Sequence, residues 1–308
     1  MTAHKEESPD LWQEVRASGI EALSGRLDRY SKAKRRALDV AQYIRGRGEK
    51  WQPLASKVDY CGDWLHFRHY FTVDELRLHK AYFCRKHLLC PLCAIRRGSK
   101  ALQAYLPRYE AVVGSRPSLR PFLVTLTVRD GSDLDERFRH LQRAQRELWK
   151  RRHRGRAPCS IQCIEAAVWS FEVKRGKGSG LWHPHLHMVA LAEAAPDQAA
   201  LSAEWHQITG DSFVVDVRPI DQADPVSGFL EVFKYALKFS DMTEADTFEA
   251  FQTLSHVRLV GSAGLFRGVE IPEALTDEPF DDLPLVDMFY RHLAGGYSLS
   301  TRRQVGGG

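Results

Sequence analysis

The chain has 308 residues, and its 44 Lys and Arg stand against 39 Asp and Glu for a formal net charge of +5. That length supports one large domain or two modest ones with a real core, and 44% hydrophobic with 27% charged residues excludes a disordered or fibrous chain. The mild basic excess permits a nucleic-acid partner without demanding one. No apolar run approaches the roughly 20 residues of a membrane span, and the N-terminal MTAHKEESPDLWQEV has no apolar signal core. The expectation is a cytoplasmic protein with no membrane partner. There, six cysteines point to metal or buried thiols rather than disulfides.

Residues 1–54 read as a helical extension. Lys32, Lys34, Arg35 and Arg36 make it basic, Ser31 is the expected cap, and Leu38, Ala41, Tyr43 and Ile44 form a partial apolar stripe. A packing element and a DNA-binding arm fit equally well. Residues 55–114 change character: Cys61 is followed by aromatic and His-rich sequence, then Cys84, Cys90-Pro91-Leu92-Cys93 and Arg96-Arg97. A Cys-x2-Cys turn brings two thiolates to one ion and is half of a tetrahedral zinc site. Cys84 is the natural third ligand and Cys61 the fourth, with His66, His69, His79 and His87 competing for that last place. Arg96 and Arg97 would lie beside the metal and contact phosphate.

Residues 115–268 alternate between strand and helix patterns. Arg120 to Val128 (RPFLVTLTV) reads as a half-buried strand with Thr125 and Thr127 on one face. A helix is expected from Leu134 to Arg152, with Phe138, Leu141, Leu148 and Trp149 inward. Between Arg137 and Arg156 stand nine Lys or Arg and one acid, Glu147. Alone, such a run is a solvated helix face; beside a nucleic-acid site, Lys150, Arg151 and Arg152, with Thr125 and Thr127 on the sheet, would bind DNA and track a single strand. Val168 to Lys174 (VWSFEVK) alternates Trp169, Phe171 and Val173 against Ser170, Glu172 and Lys174. The glycine-rich linker 175–180 reads as a hairpin loop leading into Leu181 to Leu191 (LWHPHLHMVAL). In a strand, residues two apart share a face, so His185 and His187 point together. His183 stands at that face's edge, where a metal-shell, phosphate or solvent role is open. Antiparallel pairing then sets Glu172 opposite or diagonal to both histidines. Two imidazoles and one carboxylate with open positions form a catalytic metal pattern, and they suit Mn²⁺ or Mg²⁺.

Further on, helices are expected over Ala199 to Ile208 and over Ser227 to Ser240, the latter capped by Ser227. On this second helix Glu231, Tyr235 and Lys238 stand four and three apart and share a stripe. Strands are expected over Phe213 to Ile220 and Val257 to Val260. Residues 269–308 read as a C-terminal tail. The fold class expected is α+β: an antiparallel sheet of about five strands with packed helices, plus a helical and zinc-binding N-terminal module.

Taken in order, a Cys cluster, an apolar-Thr-Leu-Thr strand, a His-hydrophobic-His strand and a Tyr-x-x-Lys helix resemble the rolling-circle replication initiators of small bacterial plasmids, within the HUH endonuclease superfamily. The resemblance covers roughly residues 55–265. It is nearest to single-tyrosine initiators with an upstream motif of the form Cys84-Arg-Lys-His-Leu-Leu-Cys90-Pro-Leu-Cys93-Ala-Ile-Arg96-Arg97. The resemblance implies that a divalent ion held by His185, His187 and Glu172 polarises the scissile phosphate of single-stranded DNA. It implies that Tyr235 attacks to leave a 5′-phosphotyrosine, with Lys238 nearby. Glu231 would activate water for the terminating cleavage. Phe239 occupies the place of a second tyrosine, so one nucleophile is expected. Origin hairpin DNA, a host helicase and a polymerase are the implied partners, and an oligomer is compatible. The rival readings are a transposase of the same superfamily and a non-catalytic zinc-bearing nucleic-acid-binding regulator.

Overall fold

The structure is a computed structural model, and it describes residues 14, 18–154, 159–234 and 239–305. The chain makes two compact units, one of 1–100 with 272–308 and one of 101–271. This differs from the division expected at residues 54, 114 and 268. The reason is strand pairing between distant stretches, which local composition does not report.

In the first unit, α1 (Leu23–Arg45) buries Tyr30, Ala33, Ala37, Val40, Ala41 and Ile44, a three- and four-residue spacing that makes one apolar stripe. Ser31 is no cap. It sits inside α1, donates to Leu27 O at 2.8 Å and accepts from Tyr297 N at 3.1 Å. The short α2 (Gln52–Asp59) follows. Then β1 (Trp64–Tyr70) and β2 (Glu75–Ala81) form a hairpin in sequence that had suggested only a Cys-rich module. α3 (Pro91–Ser115) begins at the second cysteine pair. The expected C-terminal tail instead holds β8 (Leu285–Leu293) and β9 (Gly296–Val305). They complete a four-stranded antiparallel sheet in the order β2-β1-β8-β9.

A buried charge cluster ties this unit together. Arg96, 1% exposed, bonds Glu14 Oε1 at 2.6 Å, Leu275 O at 2.7 Å and the Asp277 carboxylate. Arg26 reaches Glu14 at 2.8 Å and Asp277 at 3.2 Å, and Asp277 also accepts from Leu78 N at 2.8 Å. Arg96 is therefore no phosphate contact: its guanidinium is fully spent inside the protein. Arg97 is exposed.

The second unit is built on a five-stranded antiparallel sheet in the order β6-β3-β5-β4-β7. Its strands are β3 (Arg120–Thr127), β4 (Ala166–Arg175), β5 (Trp182–Ala192), β6 (Val215–Pro219) and β7 (Val260–Gly264). The last strand was expected a few residues earlier. The small residues themselves make it, because the chain must pass under the Trp169 ring: a Cβ on Gly261 would come within 2.6 Å of that ring.

Helix α4 (Leu134–Arg154) covers one face of the sheet. Its Phe138 meets Phe171 at 5.4 Å between centroids, and Trp149 stacks on Trp169 at 5.4 Å and 28°. α5 (Gln198–Thr209) starts at an Asp197 cap that accepts from Ala199 N and Ala200 N. α6 (Pro225–Phe233) covers the other face, where the Ser170 hydroxyl donates to Val232 O. It begins two residues before the expected Ser227, which donates to Asp224 O rather than capping. α7 (Glu244–Leu254) opens with a Thr243/Asp246 capping box.

Burial by itself would raise the Asp277 carboxyl, but the Arg96 and Arg26 guanidiniums outweigh it and hold it far below the usual range. A depressed folded pKa contributes stability above the unfolded value, about 3.9, and loses it as pH falls below that. Asp277→Asn leaves two guanidiniums under-paired and should cost about 3–5 kcal/mol. Urea unfolding across pH should show that gap to wild type narrowing as pH drops below about 4.

Candidate active site and metal centres

The β4–β5 hairpin sets Glu172 directly across from His185, and Ser170 across from His187. With period-two alternation, Glu172, His185 and His187 leave the sheet on the side covered by α6. The Glu172 Oε2 lies 3.4 Å from His185 Nε2 and 3.2 Å from His187 Nε2. All three residues are buried, at 3–4% exposure. Among the described residues, Glu172 Oε2 and His187 Nε2 have no hydrogen-bond partner.

Two buried polar atoms that face each other without a bond are costly unless something sits between them. A divalent cation would supply the missing interaction, and the three donor atoms lie within 4.8 Å of one another. The donor set of two imidazole nitrogens and one carboxylate fits such an ion.

The surroundings prepare these donors. Thr125 Oγ1 is 3.1 Å from His187 Nδ1, so the other ring nitrogen is directed at Glu172. Burial pushes the His187 imidazole down to about 4, against the pull of Glu172; it is neutral at neutral pH, as a ligand must be. Burial would raise Glu172, yet His185, His187 and Lys234 outweigh it and hold its carboxyl well below the usual range. His183 takes no part in the triad. Its Nδ1 pairs with Asp130, which also accepts from the Ser179 hydroxyl.

Lys234 is the residue that sequence reasoning missed. Its Nζ lies 3.7 Å from Glu172 Oε2 and bonds the Glu231 carboxylate. Burial works against its charge, but the two carboxylates raise its pKa above the ordinary lysine value. The only signal was its place between Glu231 and Tyr235. The helix expected through Ser240 ends at Phe233, with extended backbone at Lys234 (ψ 168°). Of the expected Glu231, Tyr235 and Lys238 stripe, only Glu231 lies within the described helix. Tyr235 and Lys238 lie outside the described residues.

Thr127 stands across from His185, as Thr125 does from His187. The basic residues of α4 lie on the opposite face of the sheet, and so away from the triad. Arg152 donates to Ile164 O at 2.6 Å, and Arg151 sits 3.7 Å from Glu204. Lys150 is exposed.

A second donor cluster occupies the first unit. Cys61 follows α2, Cys84 follows β2, and Cys90 and Cys93 open α3. Cys61 Sγ is 3.5 Å from both Cys90 and Cys93, and Cys84 Sγ is 3.6 Å from Cys93. All four are buried, and four sulfurs this close suit one tetrahedral ion. The fourth donor is Cys61, while His66 bonds Asp287 at 2.7 Å and His69 bonds Asp74 at 2.8 Å. Gly62, at φ +72°, makes the turn after Cys61; a Cβ there would meet Leu92 at 2.4 Å.

A protein-family model described as "Replication protein" matches residues 75–289. Two curated relatives carry the name "Protein rep". The one from Streptococcus pneumoniae serotype 2 (strain D39 / NCTC 7466) is 26% identical over 251 residues, covering 76% of this chain and 76% of that protein. The one from Lactiplantibacillus plantarum is 25% identical over 211 residues, covering 62% of this chain and 64% of that protein. No solved structure matches the chain significantly.

Thr125 orients His187 and is not one of the three candidate ligands. Thr125→Val should weaken Mn²⁺ binding roughly ten- to hundredfold. Titration calorimetry checks this, with an unchanged circular dichroism spectrum as the control; unaltered affinity would refute the orienting role.

Proposed function

The chain belongs to the replication-protein family that matches it over residues 75–289, and we propose that it starts rolling-circle replication by nicking and rejoining single-stranded DNA. The observation that carries this reading is the buried Glu172–His185–His187 triad, whose facing donors lack partners beside the segment that leads into Tyr235. A module that only binds nucleic acid has no use for that arrangement. The family match favours an initiator over a transposase.

Glu172, His185 and His187 would hold Mn²⁺ or Mg²⁺, which supplies Lewis-acid polarisation of the scissile phosphate when bound. The chain's own residues do the rest. The Tyr235 hydroxyl attacks phosphorus, the 3′ oxygen leaves, and a 5′-phosphotyrosine and a free 3′-OH result. A phenol of pKa about 10 is scarcely ionised at neutral pH, so cations near the reacting centre matter; Lys238 is assigned to this task. Lys234 adds a positive charge between Glu172 and Glu231. Glu231 serves as base for the water that ends the cycle. Thr127 and Arg97 are assigned to the DNA backbone. Origin hairpin DNA is the substrate in this reading, and a helicase and a polymerase of the host extend the 3′-OH.

The four thiols of Cys61, Cys84, Cys90 and Cys93 would hold structural Zn²⁺, the ion such a set selects. Among the described residues no helix is long and apolar enough to cross a membrane.

Wild-type protein incubated with single-stranded origin DNA and Mn²⁺ should give a heat-stable adduct on a denaturing gel. Tyr235→Phe should abolish it while DNA binding persists; an adduct of wild-type yield in that variant sinks the assignment. Separately, Cys90→Ser should lose the zinc, about one ion per chain by mass spectrometry of the metal, and unfold at lower temperature. Equal zinc content in wild type and variant would count against the cluster.

A further inference from the structure

The face of the sheet opposite the triad is not plain packing surface. Between α4 and the β4–β7 edge lies a cavity of about 680 Å³. Its rim carries Arg146, Lys150, Arg154, Arg258 and Arg267, and no acidic side chain among the described residues lines it. All five cations are exposed. Arg154 lies 3.9 Å from Glu147. Arg258 donates its Nε–H to Val260 O at 2.9 Å.

The floor is aromatic. Trp149 and Trp169 both line the cavity, stacked at 5.4 Å and 28°. Trp169 is held from below, because Gly261 leaves its ring no Cβ to avoid. Two fixed indoles, each only partly buried, form a platform that conformational entropy does not oppose on binding.

We propose that this groove is a second binding site for single-stranded DNA, separate from the triad. A ring of cations follows a phosphate backbone. Indole floors take up unstacked bases whatever their sequence. A duplex keeps its bases stacked inside and offers nothing to the tryptophans, so the occupant is a single strand. The triad faces the other side of the same sheet, so the two sites take different stretches of DNA. The groove does not depend on the nicking reading, and its test is independent of it.

The experiment uses full-length protein without added divalent ion and a fluorescein-labelled oligo(dT) of about 12 nucleotides, read by anisotropy over a salt series. Arg258→Glu/Arg267→Glu should raise Kd at least about tenfold, and should flatten the slope of log affinity against log salt by about 1.4, or about 0.7 per lost phosphate contact. Trp149→Ala should raise Kd about tenfold with the slope kept. The Arg258→Glu/Arg267→Glu variant should still form the adduct with single-stranded origin DNA at wild-type yield. Unchanged affinity and slope in that variant overturn the proposal. An equal loss on a duplex of the same length overturns the single-strand assignment. A wild type that never forms an adduct counts against the nicking reading alone, and the anisotropy still decides the groove.

Discussion

The register of one hairpin sustains the candidate active site. Antiparallel pairing of β4 with β5 sets Glu172 across from His185 and Ser170 across from His187. A slip of one residue would turn both imidazoles away from the carboxylate, because side chains alternate faces. The neighbours resist such a slip. β3 pairs Thr125 with His187 on one side, while Trp169 over Gly261 locks the other. The triad is thus held by strands rather than loops, which keeps its donors in place before any ion or DNA arrives.

That placement has an energetic cost. An ionised carboxylate and two imidazoles are buried together, with atoms lacking partners, and burial alone opposes the charge on Glu172. The histidines and Lys234 outweigh that opposition, and the atoms left without partners would favour taking up a cation. The four buried thiols follow the same logic in the first unit, where Cys84 N donates to Cys61 Sγ at 3.3 Å.

The first unit draws on both ends of the chain. Glu14 comes from one end and Asp277 from the other, and they meet around Arg26 and Arg96. β8 and β9 add half of its sheet. In the second unit one sheet serves two faces: the triad lies on one, and the tryptophan floor with its cationic rim on the other.

Local patterns were enough for much of this. The alternation of VWSFEVK and LWHPHLHMVAL around a glycine-rich linker dictates a hairpin, and hence the convergence of Glu172, His185 and His187. The Cys-x2-Cys turn with Cys84 nearby dictates a thiol site. The apolar spacing of Phe138, Leu141 and Leu148 places α4 to within two residues of its observed end. These features need only neighbours in sequence. Others needed partners far along the chain. Arg96 looks like a phosphate contact until Glu14 and Asp277 close on it. Residues 285–305 look like a tail until β1 offers an edge. Val260–Gly264 lacks bulky strand residues, and only Trp169 above it explains why. Lys234 gave no signal beyond its position, and only the end of α6 at Phe233 sets it 3.7 Å from Glu172. The sequence by itself determined which chemistry-bearing groups lie on adjacent strands and turns, because periodicity acts over a few residues. Tertiary structure alone decided which charges are buried, which face each helix covers and where the second sheet comes from, because burial and pairing are set by surfaces brought together across the whole chain.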